Sequence, residues 1–264
     1  MGKTGFFLQT MALVIFLSFA ILSVSQGELS AELTTKANHD HIQIDFFYHG
    51  SSISVRGVSD LGTDLIIKVS SPEGHQALRE KGKVAGLLWM NVGTLKLEHV
   101  SSLYFLNSTK KLEDILDKEE MNKYVLGYGA LERHVEMEPV AHEGEKLKWF
   151  NEFVKFKESS KLYSISSGNI SLTENQGKQN YYVLMNWPYQ AAPGGYTVTV
   201  YAVRDKKVVE TAEAHVTVEQ VGVVKSFANM AKDSASFYGV ISILAALGAG
   251  FGVGMVFRKG GGAH

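Results

Sequence analysis

Residues 237–257 contain no charged side chain, and a helix of about 21 residues rising 1.5 Å each is long enough to cross a hydrocarbon core of about 30 Å. The segment reads as a membrane helix, and whatever chain it takes is lost to the folded core. Arg258 and Lys259 follow it directly, whereas Lys225, Lys232 and Asp233 ahead of it are mixed in sign. The positive-inside rule then predicts a cytoplasmic tail at 258–264, with the body on the other side of the membrane.

Glycine stands at every second position from Gly248 through Gly250 and Gly252 to Gly254. These form two overlapping small-xxx-small pairs, Gly248 with Gly252 and Gly250 with Gly254, and Ala245 and Ala249 extend the narrow surface. Such spacing lets two helices approach closely in lipid, so a membrane-protein partner or a second copy of the chain is expected on this face. The bland alternative is that glycine is simply common in membrane helices. A nucleotide-binding glycine loop is excluded, because no strand, turn and helix surround the run.

The opposite end carries Lys3, an apolar run over 6–24, and the small or polar Ser23, Ser25 and Gly27. That order predicts a signal peptide over 1–27, cleaved after Ser25 or Gly27, with an uncleaved signal anchor as the rival. Export would place the body in an oxidising compartment, yet the chain has no cysteine. Its stability must come from an ordinary core, and thiol chemistry, iron–sulfur clusters and cysteine-ligated zinc are excluded. With 26 basic and 27 acidic residues there is no global field to attract nucleic acid, which is not expected as a partner.

The body, 28–220, opens on strand signals. Ile42, Ile44, Phe46 and Tyr48 alternate with Gln43, Asp45 and Phe47, then Ile53 and Val55 alternate with Ser54 and Arg56. A richer apolar run over 64–69 fits a more buried strand, and runs over 84–92 and 100–106 follow. The period then becomes helical at Leu112, Ile115 and Leu116, with Gly127 and Gly129 ending that unit. Over 145–157, Leu147, Trp149, Phe150, Phe153, Val154 and Phe156 share one half of a helix. Strands return over 181–187, 196–203 and 208–218, the last two joined by the charged turn at Arg204 to Lys207. The expected architecture is mainly β: an extracytoplasmic antiparallel, immunoglobulin-like β-sandwich with a helical insert at about 108–160, a juxtamembrane helix at 221–235 and one C-terminal transmembrane helix at 236–257.

Groups able to carry chemistry are scattered. His39 and His41 flank Asp40, but no second cluster has ligand spacing, and solvated histidine is the commoner outcome. The pairs Glu119 with Glu120 and Glu136 with Glu138 sit in charged surroundings and read as solvated faces. Asn107 and Asn169 head formal glycosylation triplets. Trp89 and Tyr104, in strand-like runs, read as core residues whose polar tips bond to backbone. No catalytic residue, cofactor or metal site is assigned, and an enzyme is not expected.

The stretch KVAGLLWMNVGTLKLEHVSSLYFLNSTKKL, over 83–112, resembles the pattern of the Alph_Pro_TM family of bacterial transmembrane proteins. The matching positions are Val84, Ala85, Gly86, Trp89, Asn91, Ser102, Tyr104 and Leu112, with further similarity at Ile42, Ile44, Phe47 and Gly50, the hairpin at 193–196, and Tyr238 and Gly239. The pattern departs at Ser101, where the family commonly has proline, which implies a less rigid approach to the strand that follows. The resemblance implies a bacterial inner-membrane protein with a periplasmic body, and association with a sulfite-exporter-type permease; it brings no catalytic residues. The expected role is a single-pass accessory or interaction protein, with a periplasmic ligand- or metal-binding, sensor-like module as the alternative and the lipid bilayer and a membrane protein as partners.

Overall fold

The computed structural model describes residues 32–38, 41–45, 47–84 and 86–258; the predicted signal peptide, His39, Asp40 and Lys259 lie outside them. Most of the body is strand. A four-stranded sheet has the order β1 (Lys36–Ala37), β3 (Ser51–Asp60), β11 (Lys178–Trp187), β10 (Ser171–Asn175). A six-stranded sheet has the order β2 (His41–Ile44), β13 (Lys207–Gln220), β12 (Gly194–Arg204), β4 (Asp64–Ser70), β7 (Tyr104–Ser108), β9 (Tyr163–Ser167). The third sheet is β5 (Glu73–Val84), β6 (Leu88–Ser101) and β8 (Glu136–Glu138).

Period-two patterning makes the first two sheets a sandwich. Ile53 and Val55 of β3 and Val183, Met185 and Trp187 of β11 are buried in one cluster with Leu65, Ile67 and Val69 of β4 and Val198 and Val200 of β12. The six-stranded sheet is covered on its other face as well. There Ile66, Tyr104, Leu106, Tyr201 and Val203 join residues of four helices, α1 (Leu112–Ile115), α2 (Lys118–Tyr124), α3 (Tyr128–His134) and α4 (Glu143–Ser159). Central β4 is therefore buried on both faces, which is why its Leu65, Ile66 and Ile67 are consecutive apolar residues rather than an alternation. The β-rich sandwich with a helical insertion and a C-terminal apolar helix is the expected architecture, with one refinement. Two pairings are parallel, β2 with β13 and β7 with β9.

Several local expectations fail for identifiable reasons. The first strand stops at Ile44, not Tyr48, because the edge strand has only the last residues of β13 to pair with, and Phe47 beyond it is exposed. On α4 the buried stripe is Phe150, Phe153, Val154 and Lys157, while Leu147 and Phe156, at the margins of the apolar half, face solvent. Gly127 and Gly129 do not close the helical unit: Gly127, at φ +89°, is the N-cap of α3, and the left-handed Val125 makes the turn before it. The largest omission is β5. Its run of His, Gln, Arg, Glu, Lys and Gly has no apolar alternation because both of its faces are wet over most of its length.

β5 and β6 form a long two-stranded ribbon whose outer half stands free of the body. At its turn Leu87 donates its N–H to Val84 O, and Gly86 takes φ +72°, a left-handed value that glycine adopts without strain. Trp89 is 67 % exposed and Leu87 85 %, so the core reading of Trp89 is wrong. The ribbon's root, in contrast, is held tightly. Ser71 N donates to Leu103 O, Ser102 N to Ser71 Oγ, and Ser101 Oγ to Ser71 O. Tyr163 OH donates to Ser101 O at 2.6 Å and Lys157 Nζ to Ser102 O at 3.3 Å. Ser101 thus fixes by hydrogen bonds the approach that a proline would fix by its ring.

Candidate functional site

The C-terminal region consists of α5 (Gly222–Asp233) and α6 (Ala235–Arg258). They meet at Ser234, a single non-helical residue bridged by Ser234 N to Met230 O and Tyr238 N to Ser234 O. α5 is amphipathic: Val223 and Phe227 are exposed on one face, opposite Lys225 and Lys232. α6 contains the candidate membrane span, Ala235–Met255, and none of that stretch is buried against the other described residues. A helix apolar all round and uncovered by the described body needs lipid or a partner.

Helical geometry sorts the four glycines. At 100° per residue Gly248 and Gly252 lie on one side with Ala245 and Ala249, while Gly250 and Gly254 lie on the opposite side with Ala246. At all four glycines a Cβ would meet nothing within 4 Å. The pairs that overlap in sequence are therefore two separate narrow faces, roughly opposite one another, with Leu247 and Phe251 filling one of the arcs between them. Arg258 is the last residue of α6, and Lys259 follows outside the described residues.

Strand register shows what else lies where the chain leaves for this helix. β13 ends at Gln220, beside Ile44. β12 begins there, with Gly194 opposite Val218. β4 runs against β12, with Ser70 opposite Thr197, so β4 also ends there, and β7 begins there with Tyr104 opposite Ser70. The ribbon leaves β4 at Glu73 and rejoins β7 after Ser101. Its root and the start of α5 thus share one end of the six-stranded sheet, two strands apart between β13 and β4, or about 10 Å.

The remaining sequence candidates resolve individually. His41 Nε2 pairs with Glu219 Oε1 at 2.9 Å across β2 and β13, and this contact holds the Glu219 carboxyl below its usual range. His134 Nε2 lies 2.8 Å from one oxygen of Glu73 and His99 Nδ1 3.6 Å from the other, which ties α3 to the ribbon's root. Among the described residues no group of three or more His, Asp or Glu is arranged to hold a metal ion. Glu120 is not a solvated acid: its Oε2 accepts from Val208 N and joins α2 to β13. Asn107 is buried in β7 with Nδ2 3.0 Å from Met185 Sδ, so its glycosylation triplet is inaccessible in the folded body. Tyr104, as expected, is core with a bonded tip: its hydroxyl donates to Val125 O and accepts from Gly127 N.

One cleft of about 870 Å³ lies beside the sandwich core, with Asn107, Lys161, Tyr163, Asn169, Asn186 and Trp187 among the residues that line it. The Trp187 ring is buried edge-on against Phe105 and Tyr196, and its Nε1 has no hydrogen-bond partner among the described residues.

A β-sandwich with a helical layer, ending in a helix made for lipid, defines a membrane-anchored protein. The chain belongs to the family described as "Putative transmembrane protein (Alph_Pro_TM)", whose pattern matches residues 32–259. A comparison with curated proteins finds no match.

Proposed function

We propose that the chain is a single-pass accessory protein of a bacterial inner membrane, non-catalytic, that holds a membrane partner through the narrow faces of α6. The body would lie in the periplasm and the tail after Arg258 in the cytoplasm, following the placement of the basic pair. The observation that carries this reading is the pair of opposed glycine faces on a helix that the other described residues leave uncovered. A sulfite-exporter-type permease is the partner the family resemblance favours, and a second copy of the chain is the competing one.

The test is in-membrane crosslinking of the tagged full-length protein, with mass spectrometry of what co-purifies. Two double variants, Gly248→Leu with Gly252→Leu and Gly250→Leu with Gly254→Leu, block one face each. Loss of the permease with either variant supports the reading. Recovery of the same permease with both variants removes the helix from the contact, and recovery of the chain alone, or only of its own copies, removes the permease.

A ligand-binding body is a second reading, supported by the cleft and the polar residues Lys161, Asn169 and Asn186 that line it. A ligand seated there would raise the melting temperature by mass action. No shift with any member of a panel of small anions, amides and divalent metals would set it aside.

A further inference from the structure

The free end of the β5–β6 ribbon concentrates apolar surface in a way that ordinary exposed residues do not. In the register Val84 faces Leu88 and Gly82 faces Met90, so Val84, Leu88 and Met90 share one face of the ribbon, and Val92, which packs over Gly82, extends it. Leu87 caps the turn. All five of these apolar side chains are at least 44 % exposed. The other face carries Trp89 opposite Lys83, and Asn91 opposite Lys81. Lys83 Nζ lies 5.5 Å from the centre of the Trp89 ring.

We propose that this tip is a second membrane contact, in which the turn and the apolar face enter the interface of the bilayer that α6 spans, Trp89 lies at headgroup depth, and Lys81 and Lys83 reach anionic lipid phosphates. Three observations converge on lipid. Tryptophan and lysine side by side, set about 7 Å behind an apolar turn, match an interface into which apolar groups sink about 5–10 Å while aromatic and basic groups stay at headgroup level. The segment 79–92 carries Arg79, Lys81 and Lys83 against Glu80 alone, a positive excess suited to an anionic surface. And the ribbon springs from the end of the sheet at which the chain turns into α5 and α6, with strands of 12 and 14 residues that reach about 40 Å. A protein partner is the weaker occupant, because the apolar groups wrap the turn and run back along one face instead of forming a flat patch with a polar rim.

The chain has no cysteine, so single reporters can be placed at will. Full-length protein with Leu87→Cys, or with Thr94→Cys about 23 Å back along β6, is labelled with a polarity-sensitive dye. It is then reconstituted into vesicles of phosphatidylcholine with or without phosphatidylglycerol, and flotation with the vesicles reports α6 independently of the tip. The expected result is blue-shifted emission at position 87 and quenching by acyl-chain nitroxide lipids several-fold greater than at 94, both strengthened by phosphatidylglycerol. Lys81→Glu with Lys83→Glu should abolish that strengthening while flotation persists. Water-like emission at 87 in floated protein overturns the proposal, and so does blue-shifted emission without lipid quenching, which would place the tip against protein.

Discussion

Two positions show most directly how single atoms set this fold. Gly57 of β3 passes under the N-terminal segment so closely that a Cβ would lie 1.8 Å from Thr34 O and 2.5 Å from Tyr181 OH, the hydroxyl that donates to Thr34 O. Gly57→Ala must therefore displace 34–37 from β3, at a cost of roughly 1–3 kcal/mol, readable as a lower melting temperature of the full chain in detergent. Tyr104 acts through its hydroxyl. Tyr104→Phe keeps the ring against Tyr163 but strips Val125 O of its donor and Gly127 N of its acceptor, for an expected loss of about 1–3 kcal/mol. Hydrogen exchange should speed up first at Gly127, where the helical insert is pinned to the sheet.

Among the elements, α4 separates apolar residues that hold the fold from those that do not. Phe153 is fully buried, edge-on to Tyr163, and Phe153→Ala should cost about 3–5 kcal/mol. Leu147→Ala should change stability by less than about 0.5 kcal/mol, since Leu147 is exposed. Equal losses from the two would mean that α4 packs through a different face. Sequence periodicity marked the helix and the correct half of it, but a half-helix is wider than the sector one sheet can cover. The same limit explains the strands. β4, β12 and β13 were legible because burial imposes a pattern on them, whereas β5 carries none where both of its faces meet water. Trp89 was misread for a related reason: a tryptophan among leucines and valines looks the same in sequence whether it enters a core or the tip of a ribbon. The glycines of α6 were visible from spacing, but their division into two faces needed the helix to be continuous through 245–254.

For the whole molecule, the buried ionisable groups predict the shape of the stability curve. Lys157 is 4 % exposed, and burial lowers its ammonium from 10.5 to about 8. Between about pH 8 and 10.5 the unfolded chain holds a proton that the folded one has released, so stability should rise with pH by an amount on the order of 3 kcal/mol. The buried tyrosines act in the opposite direction at higher pH. Desolvation raises Tyr181 and Tyr201 to about 12, and Tyr104 and Tyr163 further, from 10.0. Above pH 10 the unfolded state loses protons that the folded state keeps, and stability falls. Urea unfolding of the full chain in detergent across this range should therefore peak between about pH 9 and 10. Lys157→Met should flatten the rising limb and leave the falling one. An unchanged rising limb would assign it to other groups.

The two opposed faces of α6, if they are the partner surface proposed above, would also govern number. A helix with one narrow side forms a pair and stops there. One with narrow sides nearly back to back can be gripped by two neighbours at once, as the middle plank of three. If both neighbours were copies of the same chain, such head-to-tail contacts would either close into a ring or continue as a row across the membrane, according to the small rotation between successive helices. Counting copies per assembly would then report that rotation.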